Sequence, residues 1–101
     1  MVLAKVVGTV VATQKEASLD GLRMMMCKPV DIDGQEKSGF VVAVDAVGAG
    51  VGEMVMYASG SSARQTTVTR DRPCDAVIMA IVDQWEVEGA YKYKKDENPP
   101  Y

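Results

Sequence analysis

Four carboxylates stand at or near the ends of β-rich stretches, and they are the side chains most able to do chemistry. They are Asp45, Glu53, Asp75 and Asp83. Paired carboxylates can serve as acid and base in glycoside hydrolysis, but that reaction needs a cleft deep enough to hold a sugar. For Asp45 and Asp83 we favour a simpler role, accepting hydrogen bonds from backbone amides or arginine. The candidate arginine partners are Arg64, Arg70 and Arg72.

Other common catalytic and metal-binding patterns are incomplete. The chain has no histidine, which removes the commonest general base and metal ligand. Ser61 and Ser62 therefore lack the partner of a Ser–His pair. Residues 31–34 resemble the start of a calcium loop, but no glutamate stands at the twelfth position, so they predict a hairpin turn instead. We expect no enzymatic activity, no metal and no cofactor.

A glycine-rich stretch follows a predicted strand and must be tested as a nucleotide-binding loop. It consists of Gly48, Ala49, Gly50, Val51, Gly52 and Glu53. A dinucleotide fingerprint needs Gly or Ala at the sixth position and a helix afterwards. Here Glu53 would repel a pyrophosphate, and the residues after it favour a strand. We interpret the stretch as a tight turn that lets a backbone approach closely, including that of another subunit.

The elements that position these residues are predicted to be β-strands. Even positions of residues 2–12 form a small apolar face, and Gly8 in mid-strand predicts a bend or bulge. Residues 61–64 predict a helical turn. The methionines at 24–26 are either core filler or part of a surface buried against another subunit. The predicted strands are residues 2–13, 22–28, 40–47, 54–58, 76–85 and, as a short final strand, 91–95. Such a pattern is typical of an all-β protein, a small OB-like barrel of five to six strands.

Composition sets the protein class. The chain has 101 residues, of which 48% are hydrophobic and 25% charged, as in a single globular domain. The net charge of −3 argues against a general phosphate-backbone binder. Basic and aromatic residues alternate at 91–95, but Asp96 and Glu97 follow at once, so a solvated edge is favoured over nucleic-acid binding. Without a signal-peptide pattern or a long apolar run, we expect a soluble cytoplasmic protein and no membrane partner.

Several of these stretches, in this order and spacing, closely resemble the bacterial microcompartment vertex proteins. That family includes the carboxysome and ethanolamine-utilisation vertex subunits. The resemblance implies an OB-like barrel that assembles as a cyclic homopentamer at the fivefold vertices of a polyhedral protein shell. Its implied partners are the hexameric and pseudohexameric proteins that tile the shell facets. The stretches that carry it are residues 8–15, 19–22, 43–53, 60–64, 75–76 and 81–83.

The resemblance also implies where subunits meet. The glycine stretch is expected at the fivefold axis or the subunit seam, and replacing Gly50 with valine is expected to give soluble but non-pentameric protein. Arg64 is expected to pair with a carboxylate across an adjacent interface. The remaining interface candidates are Ser61, Ser62, Ala63, Asp45 and Asp83. Residues 1–90 are expected to form the vertex domain, and residues 91–101 a C-terminal edge strand and flexible tail.

Two other functions remain open from the residues alone. One is an OB-type binding module for nucleic acid or a small ligand, which the net charge and the few aromatic residues disfavour. The other is a small carboxylate-dependent enzyme, which needs an accessible pocket with two convergent carboxylates.

Overall fold

Five strands form a closed barrel, and two more form a separate hairpin. The computed structural model describes residues 1–95. The barrel order is β1-β2-β3-β5-β4, while β6 pairs only with β7. The predicted tail beyond residue 95 lies outside the described residues. The strands are β1 (Val2–Val10), β2 (Met24–Pro29), β3 (Val41–Asp45), β4 (Met54–Ser59), β5 (Ala76–Ile81), β6 (Gln84–Val87) and β7 (Ala90–Lys94).

Strand β1 runs between β2 and β4 and shows the predicted alternation. Ala4 and Val6 are fully buried inside the barrel. The β1–β2 register shifts between Val6 and Gly8, which confirms the predicted irregularity at this glycine. The strand ends at Val10 rather than at residue 13, because Val10 pairs with Met24, the first residue of β2.

The barrel interior is filled mostly by small and medium side chains. Met25 is its largest fully buried member and Cys27 lies beside it in the same cluster. Burial raises the pKa of the Cys27 thiol to about 11, and Cys27 forms no disulfide. Met24 and Met26 point to the other face of β2 and are half-buried. The methionine run therefore supplies core filler at its centre and outer-face surface at both ends.

Strand β5 closes the barrel and ends sooner than predicted. It pairs in parallel with β3 and antiparallel with β4. The predicted single strand over residues 76–85 is wrong after Ile81. The Val82 amide donates to the Met54 carbonyl at 2.8 Å, and β4 begins at Met54, so the ladder has no further partner. The chain then leaves the barrel and forms the β6–β7 hairpin, which contains the predicted final strand as β7.

Turns and short 3₁₀ segments complete the fold. Asp31 Oδ1 accepts hydrogen bonds from the Asp33 and Gln35 amides, as a hairpin turn requires, and Gly34 has a φ of +83°. The predicted helical turn after β4 is the 3₁₀ helix Gly60–Arg64, and a shorter one spans Ala17–Leu19. No helix within residues 1–95 is long and apolar enough to cross a membrane.

Candidate subunit interface

The glycine loop, residues 46–53 between β3 and β4, is organised by the carboxylate of Asp45. Asp45 Oδ1 accepts hydrogen bonds from three loop amides, those of Val47 and Gly48 at 3.0 Å and that of Ala49 at 3.1 Å. Its side chain is only 2% exposed. An ionised acceptor inside a low-dielectric site strengthens such bonds. The hydrogen bonds of Asp45 therefore fix the first half of the loop, and these bonds lie within its own chain.

Arg23 completes this arrangement. Its Nη1 lies 2.5 Å from Asp45 Oδ2 and 2.8 Å from the Ala49 carbonyl oxygen, so one guanidinium group joins the carboxylate to the loop. The predicted candidates Arg64, Arg70 and Arg72 are therefore not the partners of Asp45 within the chain. The evidence for Arg23 lies in the pairing of β2 with β3. Met24 pairs with Val44, which places Arg23 beside Asp45. That pairing follows only from the strand register.

Glu53 holds the second half of the glycine loop with its two carboxylate oxygens. Oε1 accepts a hydrogen bond from the Gly50 amide at 2.6 Å, and Oε2 lies 2.8 Å from Lys95 Nζ. The Lys95 hydrogen bond, followed by that of Gly50, lowers the pKa of Glu53. In return, the bond to Glu53 raises the pKa of Lys95. The loop is thus tied to a residue that follows β7.

The loop is seated against the barrel at the bulge of β1. The Gly52 amide donates to the Val6 carbonyl at 2.7 Å, and the Val6 amide donates to the Glu53 carbonyl at 2.9 Å. Ala49 is fully buried in the barrel core. Val47 and Gly48 are exposed. The first residues of the loop are therefore the most accessible, while residues 50–53 are half-buried.

The second candidate surface lies at the other end of β4. Within the 3₁₀ helix Gly60–Arg64, Ala63 is fully buried, whereas Ser61, Ser62 and Arg64 are exposed. Thr69, also fully buried, donates from Oγ1 to the Ala63 carbonyl at 2.6 Å and lies 2.6 Å from Thr66 Oγ1. These hydroxyl hydrogen bonds hold the segment that follows the 3₁₀ helix against that helix.

The predicted arginine contacts at this surface are with carbonyl oxygens. Arg64 Nη1 donates to the Cys74 carbonyl at 3.3 Å. Arg72 Nη1 donates to the carbonyls of Ser18 and Asp20 at 3.3 and 2.7 Å. Asp83 is exposed, and its carbonyl accepts a hydrogen bond from the Lys95 amide at 2.8 Å. Within one chain, then, the structure places Asp45 against the glycine stretch. It places Asp83 beside Lys95, which pairs with Glu53 of that stretch, and leaves Ser61–Arg64 beyond the other end of β4.

Two shallow grooves on the described surface were candidates for a small-molecule site, and neither of them joins two carboxylates. The first lies at the end of β1 and carries Lys15 and Arg23 among apolar residues, without a carboxylate. The second lies at the start of β1 and carries Asp31 and Lys37. Across residues 1–95, no three side chains of the metal-ligating types group together. This geometry gives no support to a paired-carboxylate active site.

Comparisons with known proteins agree with this architecture. The family model described as "Ethanolamine utilisation protein EutN/carboxysome" matches residues 1–83. The carboxysome shell vertex protein CcmL of Synechococcus elongatus is 44% identical over 98 residues, covering 97% of this chain and 99% of the relative. The bacterial microcompartment shell vertex protein PduN of Salmonella typhimurium is 45% identical over 87 residues, covering 82% and 96%.

Solved structures match over nearly the same span. CcmL of Gloeobacter violaceus superposes with a TM-score of 0.91 at 40% identity, covering 95% of this chain and 99% of that one. GrpN, a pentameric microcompartment shell protein from Rhodospirillum rubrum, gives a TM-score of 0.80 at 40% identity, covering 86% and 99%. The family model covers most of the chain, and the relatives match along nearly their whole length. The chain therefore belongs to the EutN/CcmL family, as the sequence resemblance predicted.

Proposed function

We propose that this chain is a structural subunit of a bacterial microcompartment shell, where it forms a homopentamer that closes a fivefold vertex. The observation that carries the proposal is the match to a pentameric shell protein over 86% of this chain and 99% of that protein. Relatives named as shell vertex proteins match along most of the chain as well. The chain is a building block of the shell and not an enzyme.

A cyclic pentamer needs two different surfaces on each subunit, because its contacts run head to tail. The chain offers two at the opposite ends of β4, the glycine loop before Met54 and the 3₁₀ helix after Ser59. Six residues of strand separate them by about 17 Å. Exposed apolar side chains near these regions include Val47 and Val68. This separation supports the assignment of the two regions to the two sides of a subunit seam.

Within this proposal, the candidate residues take different roles. The exposed part of the glycine stretch approaches the fivefold axis or seam, and Ser61, Ser62 and Arg64 face the adjacent subunit. Asp45 is nearly inaccessible, so it acts through the loop that its carboxylate shapes. Asp83 is exposed at the base of the β6–β7 hairpin, where it can meet a charged group of the next subunit. Ala63, fully buried, supports the helix from beneath.

The partners in the shell are hexameric and pseudohexameric facet proteins, and nucleic acid is not among them. Two cations of the basic C-terminal stretch are paired within the chain: Lys92 Nζ lies 3.1 Å from Asp33 Oδ1, and Lys95 is paired with Glu53. These pairings and the acidic net charge disfavour the OB-type binding module. The division into a vertex domain of residues 1–90 and a C-terminal segment of residues 91–101 stays a prediction.

The decisive experiment is the native mass of the purified chain, measured by light scattering behind a sizing column. A mass five times the 10.9 kDa of one chain is expected. The pentamer is then mixed with hexameric shell proteins, and closed particles are expected by electron microscopy only when it is present. A stable monomer would overturn the proposal. Absorbance near 260 nm that persists through purification would favour the nucleic-acid module instead.

A further inference from the structure

The β6–β7 hairpin lies beyond the residues that the family model matches, yet it is firmly attached to the barrel. Trp85 and Tyr93 stack with their ring centroids 5.2 Å apart. Trp85 Nε1 donates to the Ile32 carbonyl at 2.8 Å. Tyr93 packs in a cluster with Val30 and Met54, against which Trp85 also lies. These contacts hold the hairpin in one orientation, which fixes where its last residue projects.

Lys95 directly follows β7, and its backbone position is also fixed. Its amide donates to the Asp83 carbonyl, which closes the base of the hairpin. Its ammonium group reaches Glu53, 42 positions earlier in the chain. The side chains of Lys95 and Glu53 are only 34% and 17% exposed, so the pair is partly shielded from solvent. Lys95 is thereby the link between the hairpin and the glycine loop.

The effect on the loop passes through Glu53, since its two oxygens hold different elements. A carboxylate anchored by Lys95 at Oε2 has its other oxygen directed at the Gly50 amide. Without the ammonium group, the Glu53 side chain regains rotational freedom and the Gly50 amide loses a fixed acceptor. The Gly50 region is the part of the loop that Asp45 does not hold, because the three Asp45 bonds end at Ala49.

We propose that Lys95 is a positioning residue for subunit assembly: acting through Glu53, it holds the Gly50 half of the glycine loop in the conformation that the seam uses. The β6–β7 hairpin then stabilises the conformation of the glycine loop through Lys95. This inference rests on the proposed pentamer for its assembly consequence. Its first step, the fixation of the loop by Lys95, stands on the geometry of one chain.

The charged groups around the pair define how it responds to pH. Glu53 faces Lys95 and, more distantly, Asp45, while Lys95 also faces Asp83 and Tyr93. The hydrogen bond from Lys95 lowers the pKa of Glu53. The link is therefore complete above the ordinary range of a glutamate and is lost as the pH falls through the lowered value.

The test compares Lys95→Met with Lys92→Met, which removes the same charge from the same hairpin. Lys92 pairs with Asp33, whose side chain is 59% exposed, instead of with the glycine loop. Amide hydrogen exchange of residues 50–53 is measured in both variants, along with the pentamer fraction on dilution. Lys95→Met is expected to speed exchange at Gly50 about threefold and to dissociate at a higher concentration than Lys92→Met. Lys95→Arg is expected to restore both properties, and Glu53→Gln to match Lys95→Met.

Each outcome distinguishes between the fixation of the loop by Lys95, the role of Lys95 in assembly and the proposed function. Equal exchange in the two methionine variants would overturn the inference, whatever the oligomeric state. Faster exchange in Lys95→Met with unchanged dissociation would overturn its assembly step alone. A monomeric wild type would overturn the proposed function, yet the exchange comparison would still decide whether Lys95 holds the loop. As the pH falls from neutral through the lowered pKa of Glu53, the difference in exchange between wild type and Glu53→Gln is expected to disappear; a constant difference contradicts the role of the Glu53 carboxylate.

Discussion

The glycine loop and the threonine segment, residues 60–75 between β4 and β5, are both irregular connections. Ionised carboxylates are the main acceptors in the loop, whereas the buried hydrogen bonds of the threonine segment come from neutral hydroxyls. In the loop, Asp45 accepts hydrogen bonds from three backbone amides and Glu53 from one, and each carboxylate also binds a cation. In the threonine segment, Thr66 and Thr69 form a neutral hydroxyl network around the Ala63 carbonyl. A carboxylate oxygen can accept hydrogen bonds from several amides at once, as Asp45 does, whereas the Thr69 hydroxyl donates to a single carbonyl.

The largest expected effect is that of Asp45→Ala. The substitution removes the acceptor of three loop amides and the partner of Arg23, and the site is nearly closed to water. We expect the free energy of unfolding to fall by about 3 kcal/mol, measured by urea denaturation at fixed protein concentration. Asp75→Asn, at an exposed carboxylate, is the control and should change it by less than about 0.5 kcal/mol. Equal effects of the two variants would contradict the role of Asp45.

Thr69→Val probes the neutral network. Valine keeps the shape of the fully buried side chain but leaves the Ala63 carbonyl without its hydroxyl donor. A loss of about 1–2 kcal/mol in unfolding free energy is expected, smaller than for Asp45→Ala. Thr67→Val, at an exposed position, is the matched control. If Thr69→Val proved as damaging as Asp45→Ala, the contrast between the two regions would not hold.

Gly50→Val is expected to affect assembly more than folding. A Cβ at Gly50 would lie 3.3 Å from Glu53 Oε1, which must then shift. We expect folded protein, destabilised by about 1 kcal/mol, that no longer forms pentamers by light scattering. Gly8→Val is the comparison, since a Cβ there meets only Met26 Cβ at 3.9 Å. A normal pentamer of Gly50→Val would remove the glycine loop from the proposed seam.

The smallest expected effect is a difference in the pH dependence of stability between variants of the glycine loop and variants of the threonine segment. The pKa of Glu53 is lowered, so its ionised form stabilises the fold above the ordinary glutamate range and this contribution is lost as the pH falls. The stability difference between wild type and Glu53→Gln should be below about 1 kcal/mol at neutral pH and shrink as the pH falls through the lowered pKa of Glu53. The Thr69→Val difference should stay constant over the same range. Parallel pH profiles would contradict the distinction.

Local patterns predicted most of the barrel. The alternation along β1, the irregularity at Gly8 and the helical turn at 61–64 all depend on neighbours in the sequence, and all three were confirmed. The error after Ile81 has a different origin. No local sequence signal at residues 82–85 ends strand β5. It ends because its partner strand, β4, begins opposite that point.

The site was predicted less completely than the fold. The glycine stretch and Asp45 could be singled out from the sequence because glycines and a carboxylate next to a predicted turn are local signals. Arg23 and Lys95 were missed as site residues, since each reaches the loop from a distant part of the chain. Arg23 requires the β2–β3 register, and Lys95 requires the placement of a hairpin that packs outside the barrel.

The position of β5 has a consequence for synthesis of the chain. Because β5 lies between β3 and β4, the first four strands can pair before it is made, but they form an open sheet. A nascent chain that ends before Ala76 therefore exposes one pairing edge on β3 and another on β4, both prone to intermolecular association. The parallel contact of Val44 with Val77 also closes a long loop, which slows barrel closure. The interval between the emergence of β4 and the emergence of β5 from the ribosome is thus the one in which these two edges are open to other copies of the chain.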